Sequence, residues 1–141
     1  MQYVVPGATD VSVHVRAIGA STNATPGDPI QTVTAATAGL ALWYRVGATG
    51  TKTAISDSDL ATVGTAHTDG GIIHVDDGLI RVDIPDAAVP ASEGVVTWVG
   101  GTADDIIIIP AAIIGRVVPL APTTAGRSLD VSAGGEAGID W

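Results

Sequence analysis

The chain has 141 residues, which fits one domain and allows that domain to bury a sizeable core. With 6 Lys and Arg against 15 Asp and Glu, its formal charge is −9, so nucleic-acid phosphates and an anionic membrane surface would repel it. It contains no cysteine, which excludes disulfides, thiolate metal sites and thiol nucleophiles.

Residue usage favours an all-β fold. Hydrophobic residues make up 46% of the chain, but aromatic residues only 4% and phenylalanine is absent, so the core must consist of Val, Ile, Leu and Ala. The 18 glycines and 8 prolines provide frequent turns between β-branched runs. We therefore expect an antiparallel β-sandwich, jelly-roll-like, with at most one or two short helices.

The N-terminus and the apolar runs indicate neither export nor membrane insertion. Residues 1–6 lack a basic region and a long apolar stretch, so we expect no signal peptide. The longest apolar run, at 106–114, is interrupted by Pro110 and is too short to span a bilayer.

The first elements are predicted from alternation and turn residues. Residues 11–16 alternate apolar and polar side chains, which is typical of a half-buried strand. The Asn, Pro and Gly content of 21–29 predicts a loop, and 32–37 could form a further strand. Residues 39–46 form the next clear strand, and 51–55 return as its hairpin partner.

Residues 56–63 are the one segment that resembles a helix. Ser56 is a possible N-cap, and Asp57 and Asp59 would lie in the first turn, where the helix dipole favours negative charge. Because Gly64 follows, we expect one or two turns at most.

The stretch from 71 to 88 is the most informative part of the chain. Two β-rich runs, 72–76 and 79–84, flank Asp77-Gly78, and an Asp-Gly pair between such runs favours a two-residue turn with positive φ at both positions. Pro85 ends the second strand because proline cannot donate to a ladder.

The chain then continues through a connection, a strand and an apolar run. Residues 86–94 predict a turn with a short 3₁₀ piece, and 95–99 predict a strand. Residues 106–109 are isoleucine throughout, which is typical of a strand buried on both faces, inside a sheet or between subunits. Residues 111–118 are expected to continue this strand after a kink at Pro110.

Histidines and carboxylates form the only cluster that suggests metal chemistry. His67, Asp69, His74 and Asp76 lie close in sequence, and residues two apart on a strand share a face, so a divalent metal is conceivable. The spacing matches no strong metal motif, and a solvated hairpin edge with outward-facing polar side chains is the preferred interpretation. We predict no metal and no cofactor.

Paired carboxylates and tryptophans are the remaining candidates. Asp76-Asp77 and Asp104-Asp105 would suit acid/base chemistry only if they converged, and adjacent strand residues point to opposite faces, so turn formation is preferred. No nucleophile elbow or phosphate-binding loop is present. Trp43, Trp98 and Trp141 could line a sugar site, although core or interface positions are more usual for tryptophan.

Three stretches together resemble a known class of domain. They are Leu-Ala-Leu-Trp-Tyr-Arg-Val at 40–46, the stretch 60–88 with Gly-Leu-Ile-Arg-Val-Asp-Ile-Pro-Asp-Ala-Ala at its end, and Gly-Arg-Ser-Leu-Asp-Val-Ser-Ala-Gly-Gly-Glu-Ala-Gly-Ile-Asp-Trp at 126–141. This combination resembles small β-domains of tailed-bacteriophage virion structural proteins, of the fibre and head-decoration type. The resemblance implies a fold module and no catalytic residues.

The resemblance implies a non-enzymatic virion protein, either a capsid decoration (cement) protein or a fibre-anchoring module. Its expected partners are further copies of itself, most simply a homotrimer, and other virion proteins such as the major capsid protein or a fibre or tail protein, with no nucleic acid and no membrane. Its expected location is the virion, after synthesis in the host cytoplasm. The alternatives are a carbohydrate-binding module on the virion surface, used in host attachment, and a small glycan hydrolase, against which the turn-bound Asp pairs argue.

The chain divides into a β-domain at 1–118 and an extended C-terminal arm at 119–141. The arm is too poor in apolar residues to fold alone. Four apolar residues nevertheless recur along it, and they are the predicted subunit or particle interface: Leu129, Val131, Ile139 and Trp141. At roughly 3.3 Å per extended residue the arm could reach a neighbouring subunit, where strand addition would hold it. A frayed terminus is the alternative.

Overall fold

The computed structural model describes residues 1–116, 129–131 and 137–139. About 45% of the described part of the chain is β-strand, which confirms the all-β prediction. The strands of the described residues are β1 (Gln2–Val4), β2 (Ser12–Gly19), β3 (Ala41–Val46), β4 (Thr53–Ile55), β5 (Ser58–Asp59), β6 (Gly71–Asp76), β7 (Leu79–Asp83), β8 (Val96–Ala103), β9 (Ile106–Gly115), β10 (Leu129–Val131) and β11 (Ala137–Ile139).

Nine of these strands form one curled sheet. Its order is β4-β3-β8-β9-β2-β7-β6-β5, with β1 added parallel to β9. The two ends of the sheet curl toward each other as in a half-barrel. One core therefore takes side chains from both ends, among them Leu42 and Ile55 from one end and Ile72 from the other, with Val13 and Val99 between. The core is aliphatic, as the absence of phenylalanine requires.

The Asp77-Gly78 hairpin is confirmed. Both turn residues have positive φ, 43° and 78°, and the flanking residues Asp76 and Leu79 pair directly. This is the geometry that a two-residue hairpin turn needs. Gly78 also lies close to the next strand, since a Cβ there would be 2.6 Å from the Ala17 carbonyl oxygen.

Strand β9 continues through Pro110, as predicted. The pairing of β8 with β9 shifts register between Val99 and Gly101, which accommodates the proline at a bulge. On its other side, β9 pairs with β2 over Ile106–Ile109 and with β1 over Ile113–Gly115. Pro110 thus lies where the strand changes neighbours, after its pairing with β2 and before its pairing with β1.

Within one chain, residues 106–109 are not buried on both faces, and burial between subunits stays a prediction. Ile108 is 4% exposed and faces the core, whereas Ile107 and Ile109 are 48% and 42% exposed. The strand lies in the middle of the sheet but has the core on one side only. A continuous apolar run therefore gives this strand one buried and one exposed apolar face.

The helix prediction for 56–63 is also wrong. Ser58 and Asp59 form β5, which pairs in parallel with β6, and the Leu60 amide donates to the Ile72 carbonyl at 2.9 Å. Ser, Asp and Thr are weak helix formers, so the unpaired edge of β6 outcompetes the helix. The only helical turn of the described residues is the 3₁₀ helix η1 (Asp86–Ala88), within the predicted 86–94 connection.

Two further expectations concern less regular segments. Residues 32–37 form a loop and no strand, and Val33 of this loop is buried in the core. The predicted boundary at 118 and most of the predicted arm lie outside the described residues. Within the arm, β10 and β11 pair antiparallel as a separate two-stranded sheet.

Candidate interaction surface

The outer side of the sheet carries an exposed patch of apolar and aromatic side chains. Side chains alternate along a strand, so the neighbours of core residues point outward. Trp98 lies between Thr97 and Val99, both fully buried, and is itself 39% exposed. We call this patch the tryptophan face and define it by outward-facing side chains of β2, β9, β8 and β3 and of the residue before β4: Ile18, Ile107, Ile109, Trp98 and Trp43, with Arg16, Arg45 and Lys52.

Strand pairing sets the order of the side chains across the tryptophan face. Ile18 of β2 is directly opposite Ile107 of β9, and Arg16 is opposite Ile109. On the other half of the face, Trp98 of β8 is opposite Arg45 of β3. At about 4.8 Å per strand, the patch from β2 to β3 is roughly 14 Å wide.

Gly100 lets the Trp43 indole lie flat across this surface. Trp43 and Gly100 are cross-strand partners, and a Cβ on Gly100 would be 2.8 Å from Cζ2 of Trp43 and 3.2 Å from Cγ of Pro110. A side chain at position 100 would thus displace the indole. The glycine is needed for this close approach of ring and backbone.

Positive charge borders the aromatic residues. The Lys52 ammonium lies 4.4 Å from the centroid of the Trp43 ring, a cation–π contact. Arg45 Nε is buried and has no hydrogen-bond partner within the described residues, where neither Arg45 nor Lys52 has a carboxylate within 4.0 Å. Arg16 approaches Asp77 at 3.8 Å in an exposed pair. Among the described residues, the face thus carries two positive charges, on Arg45 and Lys52, without a carboxylate within 4.0 Å, on a chain whose formal charge is −9.

A polar cluster around Asp83 lies on the same side of the sheet as the tryptophan face, but the loop before β6 covers it. Asp83 is fully buried and accepts two hydrogen bonds from Arg81, from Nε at 2.7 Å and from Nη2 at 2.8 Å. Ser12 Oγ donates to it at 2.6 Å and the Thr68 amide at 3.1 Å. Arg81 Nη1 also donates to the carbonyls at 63 and 65, at 2.8 and 3.0 Å. The pair fastens the loop before β6 onto the sheet.

These contacts determine the charge of Asp83. Burial by itself raises the pKa of Asp83, but hydrogen bonds from Arg81, Ser12 and Thr68, together with the Arg81 charge, outweigh it. The net pKa lies below the ordinary aspartate value, and the side chain is a carboxylate at neutral pH. Arg81 and Asp83 belong to the Gly-Leu-Ile-Arg-Val-Asp stretch of the resemblance, and their role in the structure is to hold a loop.

The histidine–aspartate cluster does not assemble. His67 Nδ1 lies 3.4 Å from Asp10 and 3.9 Å from Asp69, while its Nε2 is 3.1 Å from the Val11 carbonyl. His74 is elsewhere, since it pairs with Ile80 on the core side of the hairpin.

A bulge separates the other two members of the predicted cluster. The β6–β7 register shifts between His74 and Asp76, so that Asp76 pairs with Leu79 and leaves the face of His74. In the part of the chain that the structure describes, no group of three or more His, Asp or Glu side chains is placed to hold a metal ion.

A pocket lies beside His74. It is an open groove of about 330 Å³ at the edge of the sheet, with apolar walls from Leu60 and Ile72. Asp59 lines it and accepts a hydrogen bond from the Ala35 amide at 2.7 Å, which holds the 32–37 loop in place. His74 Nε2 has no partner among the described residues. The groove lies along the contact between the 32–37 loop and the edge of the sheet.

Asp104-Asp105 lies in a turn, as predicted, and of the other carboxylate pair Asp77 lies in a turn while Asp76 ends β6. Asp104-Asp105 connects β8 to β9, and Asp105 has a φ of 56° and accepts a hydrogen bond from the Thr22 hydroxyl. Asp77 forms the β6–β7 turn and pairs with Arg16. Both pairs help to form turns, and in neither pair do the carboxylate oxygens converge on a cleft.

Three of the four predicted interface residues, Leu129, Val131 and Ile139, lie in β10 and β11. Leu129 pairs with Ile139, and Val131 pairs with Ala137, while Trp141 lies outside the described residues. Sequence reasoning missed the exposed Ile107 and Ile109. The position of Trp98 between two core residues is a sequence signal for an outward-facing side chain on β8. The strand order that places β9 beside β8 cannot be read from the sequence.

Comparison of the chain with protein-family models, with curated proteins and with solved structures finds no match in any of the three. None of the described residues form a helix long and apolar enough to cross a membrane.

Proposed function

We propose that this chain is a non-enzymatic structural protein of a tailed-phage virion, a capsid decoration protein or a fibre-anchoring module that binds the particle through subunit contacts. The observation that carries the proposal is the tryptophan face. Ile107, Ile109 and Trp98 are outward-facing apolar side chains of two neighbouring strands, and they are 48%, 42% and 39% exposed. Such a surface on a small domain marks a site of protein contact.

The resemblance described above supports the same role. Its strongest stretch includes Arg81 and Asp83, which are used to hold a loop on the sheet. A motif of this kind specifies a stable module for display or attachment, and it is compatible with many positions on a virion. The formal charge of −9 disfavours nucleic acid and anionic membranes as partners.

The proposed partners are further copies of the chain, as a homotrimer, and a virion protein such as the major capsid protein or a fibre or tail protein. A trimer would bring three tryptophan faces around one axis. The full-length protein is then expected at about three times its mass of 14.0 kDa. Light scattering at micromolar concentration measures this, and a monomeric mass would contradict the trimer.

A carbohydrate-binding module on the virion surface is the second candidate. The exposed Trp98 favours it, because an indole next to solvent can stack on a sugar ring. A glycan array with the wild-type protein and a Trp98→Ala variant tests this role. Binding that is lost in the variant would favour attachment to host glycans over particle contact.

The location is tested on purified particles. Phage particles from a host strain that carries this gene are separated on a density gradient and analysed by quantitative mass spectrometry. The proposal predicts that the chain co-sediments with the major capsid protein at a fixed ratio across the particle peak. A chain found only in the soluble fraction would contradict a virion role.

A further inference from the structure

We propose that residues 129–141 of this chain dock on the tryptophan face. The inference rests on the proposed function in that it assigns a surface to the interface residues, but its evidence comes from the face and the segment. The face needs an occupant that is apolar, short and acidic, and the segment has each of these properties.

The first argument is apolar complementarity. The face offers a strip about 14 Å wide with Ile107 and Ile109 on one half and the two indoles on the other. The segment contains Leu129, Val131, Ile139 and Trp141. The β10–β11 pair, with three residues in each strand, is small enough to lie on such a strip.

The second argument is that a two-stranded hairpin needs support. Leu129 pairs with Ile139 and Val131 with Ala137, so apolar residues occupy alternate register positions on both strands. An isolated hairpin in water is marginally stable and gains stability by packing on another element. An exposed apolar sheet face is a suitable element.

The third argument is charge. Arg45 and Lys52 have no carboxylate within 4.0 Å among the described residues, and Arg45 Nε is buried without a hydrogen-bond partner. The segment carries three acidic side chains, Asp130, Glu136 and Asp140, and no basic one. Charge complementarity between this acidic segment and the Arg45 and Lys52 side of the face would favour docking.

The fourth argument is reach. Twelve residues, 117–128, separate Arg116 from Leu129 and can span at most about 40 Å. Ile109 lies seven residues before Arg116, which corresponds to about 23 Å along β9. The segment can therefore reach the face of its own chain or that of an adjacent copy.

The experiment uses the absence of cysteine from the chain. A Thr102→Cys substitution places one thiol on the face, beside Ile107, and the reaction rate with a thiol reagent measures whether the face is covered. The test variant adds Ile139→Ser and Trp141→Ser to the full-length chain. We expect the thiol at position 102 to react about tenfold more slowly in the chain with Ile139 and Trp141 than in the chain with both serine substitutions. This ratio corresponds to a docking free energy of ~1.4 kcal/mol.

Two controls are matched to this design. Ser92→Cys places a thiol on an exposed loop before β8, and its rate should not depend on the segment. Arg45→Glu should raise the rate at Cys-substituted position 102, whereas Arg116→Glu, with the same change of charge, should not. Far-UV circular dichroism checks that each variant keeps its β structure, and a deletion of 125–141 must give the same rate as the double serine variant.

Each result decides the proposal. Equal rates at position 102 with and without the serine substitutions would overturn it, whether both are fast because the face is free or both are slow because another partner covers it. Light scattering on the same samples tells whose segment docks. A mass that falls in the serine variant places it on a neighbouring copy. An unchanged mass places the segment on its own chain. The docking proposal then stands, but the prediction that the arm binds a neighbouring subunit is wrong.

Discussion

Replacing Arg81 by methionine should destabilise the fold far more than the same replacement at Arg16. Arg81 gives a fully buried carboxylate two hydrogen bonds of 2.7 and 2.8 Å, whereas Arg16 lies 3.8 Å from Asp77 with both side chains more than half exposed. Removing one partner of a buried ion pair costs about 3–5 kcal/mol, and an exposed pair contributes about 0–1 kcal/mol.

The remaining contacts place the expected value near the lower end of this range. After the substitution, Asp83 retains the hydroxyl of Ser12 and the amide of Thr68, but the carbonyls at 63 and 65 lose their donor. We expect a loss of about 3 kcal/mol, against less than about 1 kcal/mol for Arg16→Met. For a chain of this size, the melting temperature should fall by roughly 10 °C.

Urea denaturation followed by tryptophan fluorescence measures both variants under the same conditions. The double variant Arg81→Met with Asp83→Leu should recover part of the loss, because it leaves no unpaired buried charge. If Arg81→Met and Arg16→Met differ by less than about 0.5 kcal/mol, the buried pair does not hold the loop as described.

Three further outcomes follow from single contacts. The folded pKa of Asp83 lies below its unfolded value of about 3.9. The stabilisation from Asp83 is therefore complete above that pH and is lost as the pH falls through the folded pKa. In acid, the free energy of unfolding should fall less with decreasing pH in Asp83→Asn than in the wild-type protein. Gly78→Val should destabilise by roughly 1 kcal/mol or more beyond Gly47→Val, since both have positive φ but only position 78 lacks room for a Cβ; equal melting temperatures would contradict this. Thr97→Val should cost about 1–2 kcal/mol, because the buried hydroxyl donates to the Ala88 carbonyl at 2.7 Å, and an unchanged urea midpoint would refute that role.

Local sequence signals predicted the hairpins and most strands. Asp77-Gly78 specifies its turn through residues that tolerate positive φ, and the strand at 11–16 is apparent from alternation that matches a one-sided core. Pro110 was predicted to kink β9 without ending it, and the bulge that accommodates it is a local feature as well. In each case the deciding interaction lies within a few residues.

The first two failures depend on contacts between segments that are separate along the chain, and the third depends on a bulge within a hairpin. Residues 106–109 are apolar at every position, but only strand order decides that Ile107 and Ile109 face outward. Residues 58–59 form a strand because β6 has a free edge beside them. The bulge at 75 moves Asp76 away from His74, and no periodicity in the sequence announces an inserted residue.

The tryptophan face could be predicted only in part. Trp43 and Trp98 are visible in the sequence as candidate surface aromatics, but their neighbours come from strands that are distant along the chain. Gly100 brings Trp43 onto the face, and β9 adds its two exposed isoleucines. Both contributions arise from the order β3-β8-β9-β2, which depends on the packing of the whole core.

A cryo-electron microscopy map of the native particle tests the central proposal most directly. The account predicts this β-domain in symmetry-related copies on the virion, with Trp98, Ile107 and Ile109 buried in a protein contact. A particle that contains the chain with this face open to solvent, or a complete virion map in which the chain is absent, would contradict it.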